Sequence, residues 1–430
     1  MLNIQARGGI MQIGERIRQL RIHKGLTQGE LVSGICSIPY LSRIENGQIK
    51  PSYSFLQAIS IKLEIDISFL VEVNISGFEE NLVQICNTYQ EETKITEKEL
   101  SLLELHTRET HSIFITLKIF GVLITYYTKT NELTKSEDYL YRSFNIIPQT
   151  IEDQWHADYA YYLIACGRYF YTKQNYIKAN TYFSQADNLM EDEISLKRAD
   201  LYYSLSLVKQ RVSQDLTICR LYCKKAYDIY THLNLNSQIA ATLITLSLQY
   251  ELDNMYDEAL TYLKQAEKIV SVLNHSAYLS IIKHYYGRIF QGLKDYNTAI
   301  EFFQNCIIMS ESHQEETNKI YSIRHLIEIY IELKNWPEVN KLLADAFYLT
   351  SKHEMPYVII ELHSYKALIF KTHGDHYSYE KEMQKAIELG QETAQNSLVQ
   401  KLANELGDHF YNNRSYKMSA KYFKIALASV

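Results

Sequence analysis

The chain has 430 residues, of which 46% are hydrophobic and 22% charged, with a net charge of −6 at pH 7. This composition is that of a globular protein and excludes a disordered or fibrous chain. Five prolines and fifteen glycines are few for this length, which favours long helices joined by short turns. The six cysteines lack CxxC spacing, so they indicate a reducing compartment and no disulfide framework.

The N-terminus does not have the pattern of a signal peptide, because residues 1–10 lack an apolar core followed by a cleavage site. The most apolar stretch, residues 112–127, is shorter than a membrane span and contains Lys118. We interpret this stretch as a buried helix and expect a cytoplasmic protein with no membrane contact. Because Met11 directly precedes the first predicted helix, residues 1–10 are predicted to be a disordered extension.

Charge is unevenly distributed along the chain. Residues 1–63 contain eight Lys/Arg and three acidic residues, a net charge of +5, whereas the rest of the chain has a net charge of −11. A basic head on an acidic body indicates that only the head approaches a polyanion.

Five short helices are predicted in residues 11–73, which we call the head. The first is the amphipathic stretch 12–23, and Thr27 with Glu30 forms the capping box of the second. Ser37 can cap a third helix that runs to about Asn46-Gly47. The other two are amphipathic segments near residues 52–63 and 67–73.

The head also contains a specific set of sequence motifs. Leu26-Thr27-Gln28, Leu31, the run LSRIENG at residues 41–47, Pro51 and Leu56 occur together and in order. Residues 25–65 therefore resemble the phage-repressor-like (XRE) helix-turn-helix family. The resemblance implies a DNA-binding domain in which residues 37–43 form the recognition helix of the major groove.

The same resemblance implies individual DNA contacts. Gln28 would contact the sugar-phosphate backbone, and Lys50 and Ser52 would contact phosphate on the far side. The residues nearest to base edges would be Ser37, Pro39, Tyr40 and Arg43. Arginine can pair bidentately with guanine; the alternatives for Arg43 are a phosphate contact or a salt bridge with Glu45.

The rest of the chain repeats itself every forty residues. Aromatic residues, which we call markers, lie at exact multiples of this period. A small residue lies ten positions after each marker, and a second aromatic residue lies six positions before it. The markers are Tyr176, Tyr256, Tyr296, Trp336 and Tyr416, with Leu216 and His376 in the gaps. A glycine or other small residue nine positions before the marker, such as Gly167 or Gly287, lets a neighbouring helix approach closely. The pattern predicts pairs of packed helices.

This repeat resembles the tetratricopeptide repeat, with longer helices than the usual 34-residue unit; HEAT-type repeats share the length but fit the small/aromatic pattern less well. The predicted fold is therefore all-α. A linker helix and a degenerate first repeat occupy residues 74–110. A right-handed solenoid of about seven to nine helical pairs occupies residues 111–430, with a clear register from about residue 150.

Catalytic motifs are absent from the sequence: there is no phosphate-binding loop, HExxH, DxD pair or GxSxG elbow. His373 and His376 near Asp375 form the only histidine cluster, which we interpret as a solvated turn. Cys219 and Cys223 stand one helical turn apart without a second ligand pair and are predicted to be small buried side chains. We expect no enzymatic activity, no metal site and no cofactor.

The combination of such a head with extended repeats resembles the RRNPP family of peptide-responsive, quorum-sensing transcription regulators. It implies a homodimer that binds an inverted-repeat operator in double-stranded DNA. It also implies that a short signalling peptide binds the repeats and controls the geometry of the dimer. The alternative keeps the fold but has the repeats bind another protein, such as a response regulator of a phosphorelay.

Helical geometry suggests which residues would contact the peptide. Positions 168, 171 and their equivalents are offset from the packed side of the first helix in each pair, so they should line the concave face. Arginines at 168, 288 and 324 could hold a peptide carboxylate, the alternative being ordinary salt bridges between helices. The predicted peptide contacts are Arg168, Tyr171, Arg211, Tyr285, Arg288, Gln291, Arg324, His325, Glu328 and Tyr365.

Overall fold

A computed structural model describes residues 13–65, 67, 70, 75–109, 111–148, 151–191, 194–273, 276–313, 316–353 and 355–429. Every regular element within these ranges is helical, which confirms the all-α prediction. The chain divides into two compact units, Met1–Gln214 and Asp215–Val430.

The first unit contains the head and the start of the repeats. Its α-helices are α1 (Ile13–His23), α2 (Gln28–Val32), α3 (Ile38–Glu45), α4 (Tyr53–Leu63), α5 (Ile75–Glu92), α6 (Glu97–His106), α7 (Ile113–Lys129), α8 (Leu133–Phe144), α9 (His156–Thr172), α10 (Tyr176–Leu189) and α11 (Leu196–Val212). A short 3-10 helix, Asp153–Trp155, precedes α9.

The second unit consists of repeat helices within its described residues. They are α12 (Leu216–His232), α13 (Asn236–Leu252), α14 (Tyr256–Leu273), α15 (Ser276–Gly292), α16 (Tyr296–His313), α17 (Glu316–Glu332), α18 (Trp336–Thr350), α19 (Pro356–Thr372), α20 (His376–Glu392), α21 (Asn396–Asn412) and α22 (Tyr416–Ala428).

The head forms around an apolar core to which all four of its helices contribute. The capping box of α2 is confirmed, since the Thr27 hydroxyl accepts from the Glu30 N–H and the Glu30 carboxylate accepts from the Thr27 N–H. Ser37 occupies the N-cap of α3, but its side chain makes no capping hydrogen bond. The predicted fifth segment, residues 67–73, lies almost entirely outside the described residues.

Two contacts set how the head is packed. A Cβ atom at Gly14 would lie 1.7 Å from the carbonyl oxygen of Ile44, so α1 crosses α3 at a point where only glycine fits. Leu105 of α6 joins the buried core of the head. The core is therefore completed by a helix beyond the helix-turn-helix segment.

The apolar stretch at residues 112–127 forms α7, most of which is buried, as predicted. Lys118 is buried with it and makes an ion pair of 2.7 Å with Asp158. Among the described helices, none combines the length and apolar character that crossing a lipid bilayer requires.

The forty-residue markers begin the second helix of the repeats, and the small residues ten positions later are buried. Where the first helix carries glycine, the ring of a phenylalanine from the second helix occupies the space of the missing Cβ. A Cβ atom at Gly167 or at Gly287 would lie 2.6 Å from the ring of Phe183 or Phe303, respectively. The glycines thus allow each pair of helices to pack at close range.

A turn with the same backbone recurs at forty-residue spacing in six of the repeats, but not at Gln214. Its key residue adopts a left-handed backbone, as in Lys294 with φ 62° and Lys334 with φ 55°. The N–H of Asp295 then donates to the carbonyl of Phe290 and closes the end of α15, which is a Schellman arrangement. The equivalent left-handed positions are Gln174, Asn254, Gly374 and Arg414.

Candidate DNA-binding and ligand-binding sites

The recognition helix α3 presents an exposed surface. Ser37, Pro39 and Arg43 are exposed, and Tyr40 is half-buried because its ring packs edge-on against Phe55 at a centroid distance of 5.5 Å. These four side chains were the predicted base-reading residues. The ring of Tyr40 therefore packs against the core of the head, while part of the residue remains at the surface.

The residues predicted to contact phosphate differ in whether they already form hydrogen bonds within the protein. Lys50 is exposed. Ser52 is also exposed, but it caps α4 by accepting from the N–H of Phe55. The Gln28 amide donates to Glu45 at 2.7 Å, so a phosphate contact by this amide would compete with an internal hydrogen bond.

A polar cluster that the sequence analysis missed holds α1, α2 and α3 together. Arg21 donates twice to the buried carboxylate of Glu45, at 2.7 and 3.0 Å, while Gln28 donates to the same carboxylate. Glu45 is thus bonded to Arg21, and the alternative of an Arg43–Glu45 salt bridge is not what the structure shows. No spacing pattern links residues 24 positions apart, so the sequence carried no signal for this pair.

In the second unit, the predicted peptide contacts from α15, α17 and α19 meet around Glu328. Its Oε1 atom accepts from Arg324 at 3.0 Å and from the Tyr365 hydroxyl at 2.7 Å. Its Oε2 atom lies 3.0 Å from His325 Nδ1 and accepts from Gln291 at 3.1 Å. Burial alone would raise the pKa of Glu328, but these hydrogen bonds and the nearby cations hold it well below its usual value.

The two predicted arginines of this unit, Arg288 and Arg324, are paired with acidic side chains. Arg288 donates to Glu251 at 2.7 Å, and its guanidinium lies 5.6 Å from the ring centroid of Tyr285. The Nε atom of Arg324 lies 3.2 Å from Glu361. The first helices of successive repeats are thereby linked by ion pairs, which was the alternative interpretation of these arginines.

The first unit differs, because Arg168 lines a cavity of about 970 Å³. Lys129 lines the same cavity, and neither cation forms an ion pair with another described residue. Burial and the charge of Arg168 lower the pKa of Lys129, which Asp200 counteracts. The acidic residues Glu91, Asp153, Glu191 and Asp200 line the cavity as well, so the two cations lie within a mixed charged lining.

The other two predicted contacts of this unit, Tyr171 and Arg211, do not line that cavity. Tyr171 and Arg168 line a smaller cavity of about 210 Å³. Arg211 is exposed, and its guanidinium lies 5.7 Å from the ring centroid of Tyr176. Of the predicted arginines, Arg168 is the one that faces a large cavity without an acidic partner.

A second cluster missed by the sequence analysis lies in the connection between α6 and α7. It consists of His106, Glu109 and His111, whose ligand atoms all lie within 4.8 Å of one another. The expected histidine cluster at His373 and His376 is not part of it. The spacing His-x-x-Glu-x-His was the available signal.

Comparison with known proteins shows similarity over the head and over the whole chain. The helix-turn-helix family HTH_3 matches residues 17–70. The chain is 22% identical over 407 residues to the transcriptional activator NprA of Geobacillus stearothermophilus, which covers 92% of this chain and 98% of NprA.

Solved structures share the fold at 14% sequence identity. The apo form of the quorum sensor NprR from B. thuringiensis has a TM-score of 0.60 and covers 83% of this chain and 98% of NprR. NprR in complex with its cognate peptide NprX has a TM-score of 0.57, with 83% and 99% covered. A Rap protein complexed with Competence and Sporulation Factor also has a TM-score of 0.57, with 82% and 96% covered. The helix-turn-helix match covers the head, the similarity to NprA extends over nearly the whole of both chains, and the solved structures share the fold.

Proposed function

We propose that this protein binds an inverted-repeat operator as a homodimer through its head, and that a short peptide bound by the repeats controls that binding. The exposed face of α3, with Arg43 on it, is the observation that carries the DNA-binding part. One head of this size has little contact area. Two heads on a dimer gain affinity through their effective concentration.

We place the peptide carboxylate at Arg168 and Lys129. A cavity of about 970 Å³ has room for several residues of a peptide. Arg288 and Arg324 already hold acidic side chains, so a ligand carboxylate there would have to displace them. The NprR complex with NprX supports a peptide as the class of ligand. A peptide controls DNA binding only if it prefers one conformation of the dimer.

The DNA-binding proposal predicts different effects for two exposed cations of the head. An operator selected from a random DNA library is titrated with the full-length protein, and binding is followed by fluorescence anisotropy. Arg43→Ala weakens operator binding by about 1–3 kcal/mol and leaves nonspecific binding unchanged, because it removes a base contact. Lys50→Ala weakens both, and the slope of log affinity against log salt falls by about 0.9.

Two controls belong to this experiment. Lys62→Ala removes an exposed cation outside the predicted contact set and leaves both affinities unchanged. An operator half-site binds more weakly than the inverted repeat, since the second head then has no target. If Arg43→Ala lowers specific and nonspecific binding equally, Arg43 does not read a base.

The peptide proposal is tested by calorimetry on the full-length protein. The probes are short synthetic peptides from a random-sequence library, each with a free or an amidated C-terminus. A peptide that binds changes the operator affinity of the protein. Arg168→Ala and Lys129→Ala each weaken its binding by about 1.5–3 kcal/mol, because each removes a charge-assisted hydrogen bond.

The matched control is Lys173→Ala, which removes an exposed cation just beyond α9 and leaves peptide affinity unchanged. Full peptide affinity in the Arg168→Ala, Lys129→Ala double variant would contradict the placement of the carboxylate. In that case the same measurement on Arg288→Lys tests the second unit.

A further inference from the structure

His106, Glu109 and His111 bring one potential ligand atom each within 4.8 Å of one another. His106 Nδ1 lies 2.8 Å from Glu109 Oε2 and 3.2 Å from His111 Nε2, and the last two atoms are 3.8 Å apart. Ligand atoms around a tetrahedral Zn²⁺ with bonds of about 2.05 Å are about 3.3 Å apart. The mean of the three separations is close to this distance between ligand atoms.

The cluster is built into the fold. His106 is the last residue of α6 and Ser112 caps α7, so the three ligands occupy a short connection with a helix fixed on each side. The side chain of His106 is 2% exposed, that of Glu109 10% and that of His111 9%. Movement of the ligands is therefore restricted before any ion binds.

One polar atom in the cluster has no protein partner. Glu109 Oε1 is buried and accepts no hydrogen bond from the described residues. A buried carboxylate oxygen without a partner is costly. An ion bound by both oxygens of Glu109 would satisfy this atom.

We propose that His106, Glu109 and His111 form a binding site for one divalent transition-metal cation. Two imidazoles and one carboxylate suit Zn²⁺, whereas Ca²⁺ and Mg²⁺ prefer oxygen ligands throughout. Three protein ligands leave a fourth position for water or for the second oxygen of Glu109.

The site lies next to the head. Helix α1 packs against α6, and the charge of Arg16 on α1 acts on Glu109. A bound dication would replace this attraction by repulsion between the metal centre and Arg16. Occupancy of the site therefore changes how firmly α1 is held against α6.

Metal binding is tested on full-length protein from which metal has been removed with EDTA. Titration with ZnCl₂ in a calorimeter gives one ion per chain, with a Kd of about 10 µM or tighter. Titration with CoCl₂ gives the visible absorption of a four-coordinate ion without thiolate charge-transfer bands. His111→Ala and Glu109→Gln each weaken binding at least about tenfold.

His156→Ala is the matched control, because it removes a half-buried histidine of the same unit that lies near Asp153 and outside the cluster. It leaves Zn²⁺ affinity unchanged. Circular dichroism checks the fold of every variant, and the nearly isosteric Glu109→Gln decides the question if His111→Ala does not fold. No saturable binding at about 100 µM Zn²⁺, or equal affinity in both ligand variants, overturns the proposal.

Discussion

Glu328 is the residue through which most of the predicted ligand contacts of the second unit meet. Its two oxygens together accept from Arg324, Tyr365 and Gln291 and contact His325. Helical geometry predicted that these residues share one face, and the structure brings them into contact with Glu328. It could not show that they bond to one another, because that depends on which side chains of neighbouring helices reach each other.

The cluster predicts a large effect of removing one charge. Glu328→Gln lowers the free energy of unfolding by at least about 2 kcal/mol at pH 7, because a charged hydrogen-bond acceptor is lost and Arg324 keeps only Glu361. Glu332→Gln, at the exposed end of the same helix, changes stability by less than about 0.5 kcal/mol. Urea denaturation of the two variants measures the difference.

The effect of Glu328→Gln also depends on pH. The pKa of Glu328 is depressed in the folded state, so its stabilisation is complete above the pKa of an unfolded glutamate, about 4.5, and declines as pH falls below it. The difference in free energy of unfolding between the wild type and the variant therefore becomes smaller as pH falls below 4.5. A difference that is the same at pH 7 and pH 3 would exclude this role of the charge.

At the scale of the element, the repeat turns store strain in non-glycine residues. Lys294 and Lys334 adopt the left-handed backbone that Gly374 adopts in the next turn along the chain. That conformation costs an L-residue about 1–2 kcal/mol, and glycine avoids the cost. Part of the gain is offset by about 0.4–1 kcal/mol, since glycine makes the unfolded chain more flexible.

We therefore expect Lys294→Gly and Lys334→Gly each to raise the free energy of unfolding by about 0.5–1 kcal/mol. The same substitution at Lys264, an exposed residue inside α14, lowers it by about 1 kcal/mol, because glycine weakens a helix interior. Thermal or urea unfolding compares the three variants. Destabilisation by all three would show that the lysine side chains, and not the backbone, govern the turns.

The positions of the repeat helices were predictable because the same sequence pattern occurs in several repeats. Tyr176, Tyr256 and Tyr296 each begin a helix, and a single forty-residue period fixes all three. Features that occur only once have no repeated pattern from which they could be predicted. The Arg21–Glu45 pair and the cluster of His106 with Glu109 and His111 each occur once, so only three-dimensional packing reveals them.

At the scale of the whole molecule, the combination of a basic head and an acidic body was readable from charge and motif alone. The resemblance to the RRNPP family rests on the motifs of residues 25–65 together with the repeats. The choice among the predicted arginines was not readable, because Arg168, Arg288 and Arg324 occupy similar repeat positions. What separates them is the presence or absence of an acidic neighbour across the helices.

The burial of Leu105 among the head residues bears on how chains of this architecture can be recombined. A gene fusion that joins the segment 17–70 to a foreign partner would leave an apolar site on the head uncovered, and the chimaera would be prone to aggregate. The natural breakpoint therefore lies after α6. Exchange of DNA specificity between relatives, in evolution or in the laboratory, would have to carry α6 along with the reading helix.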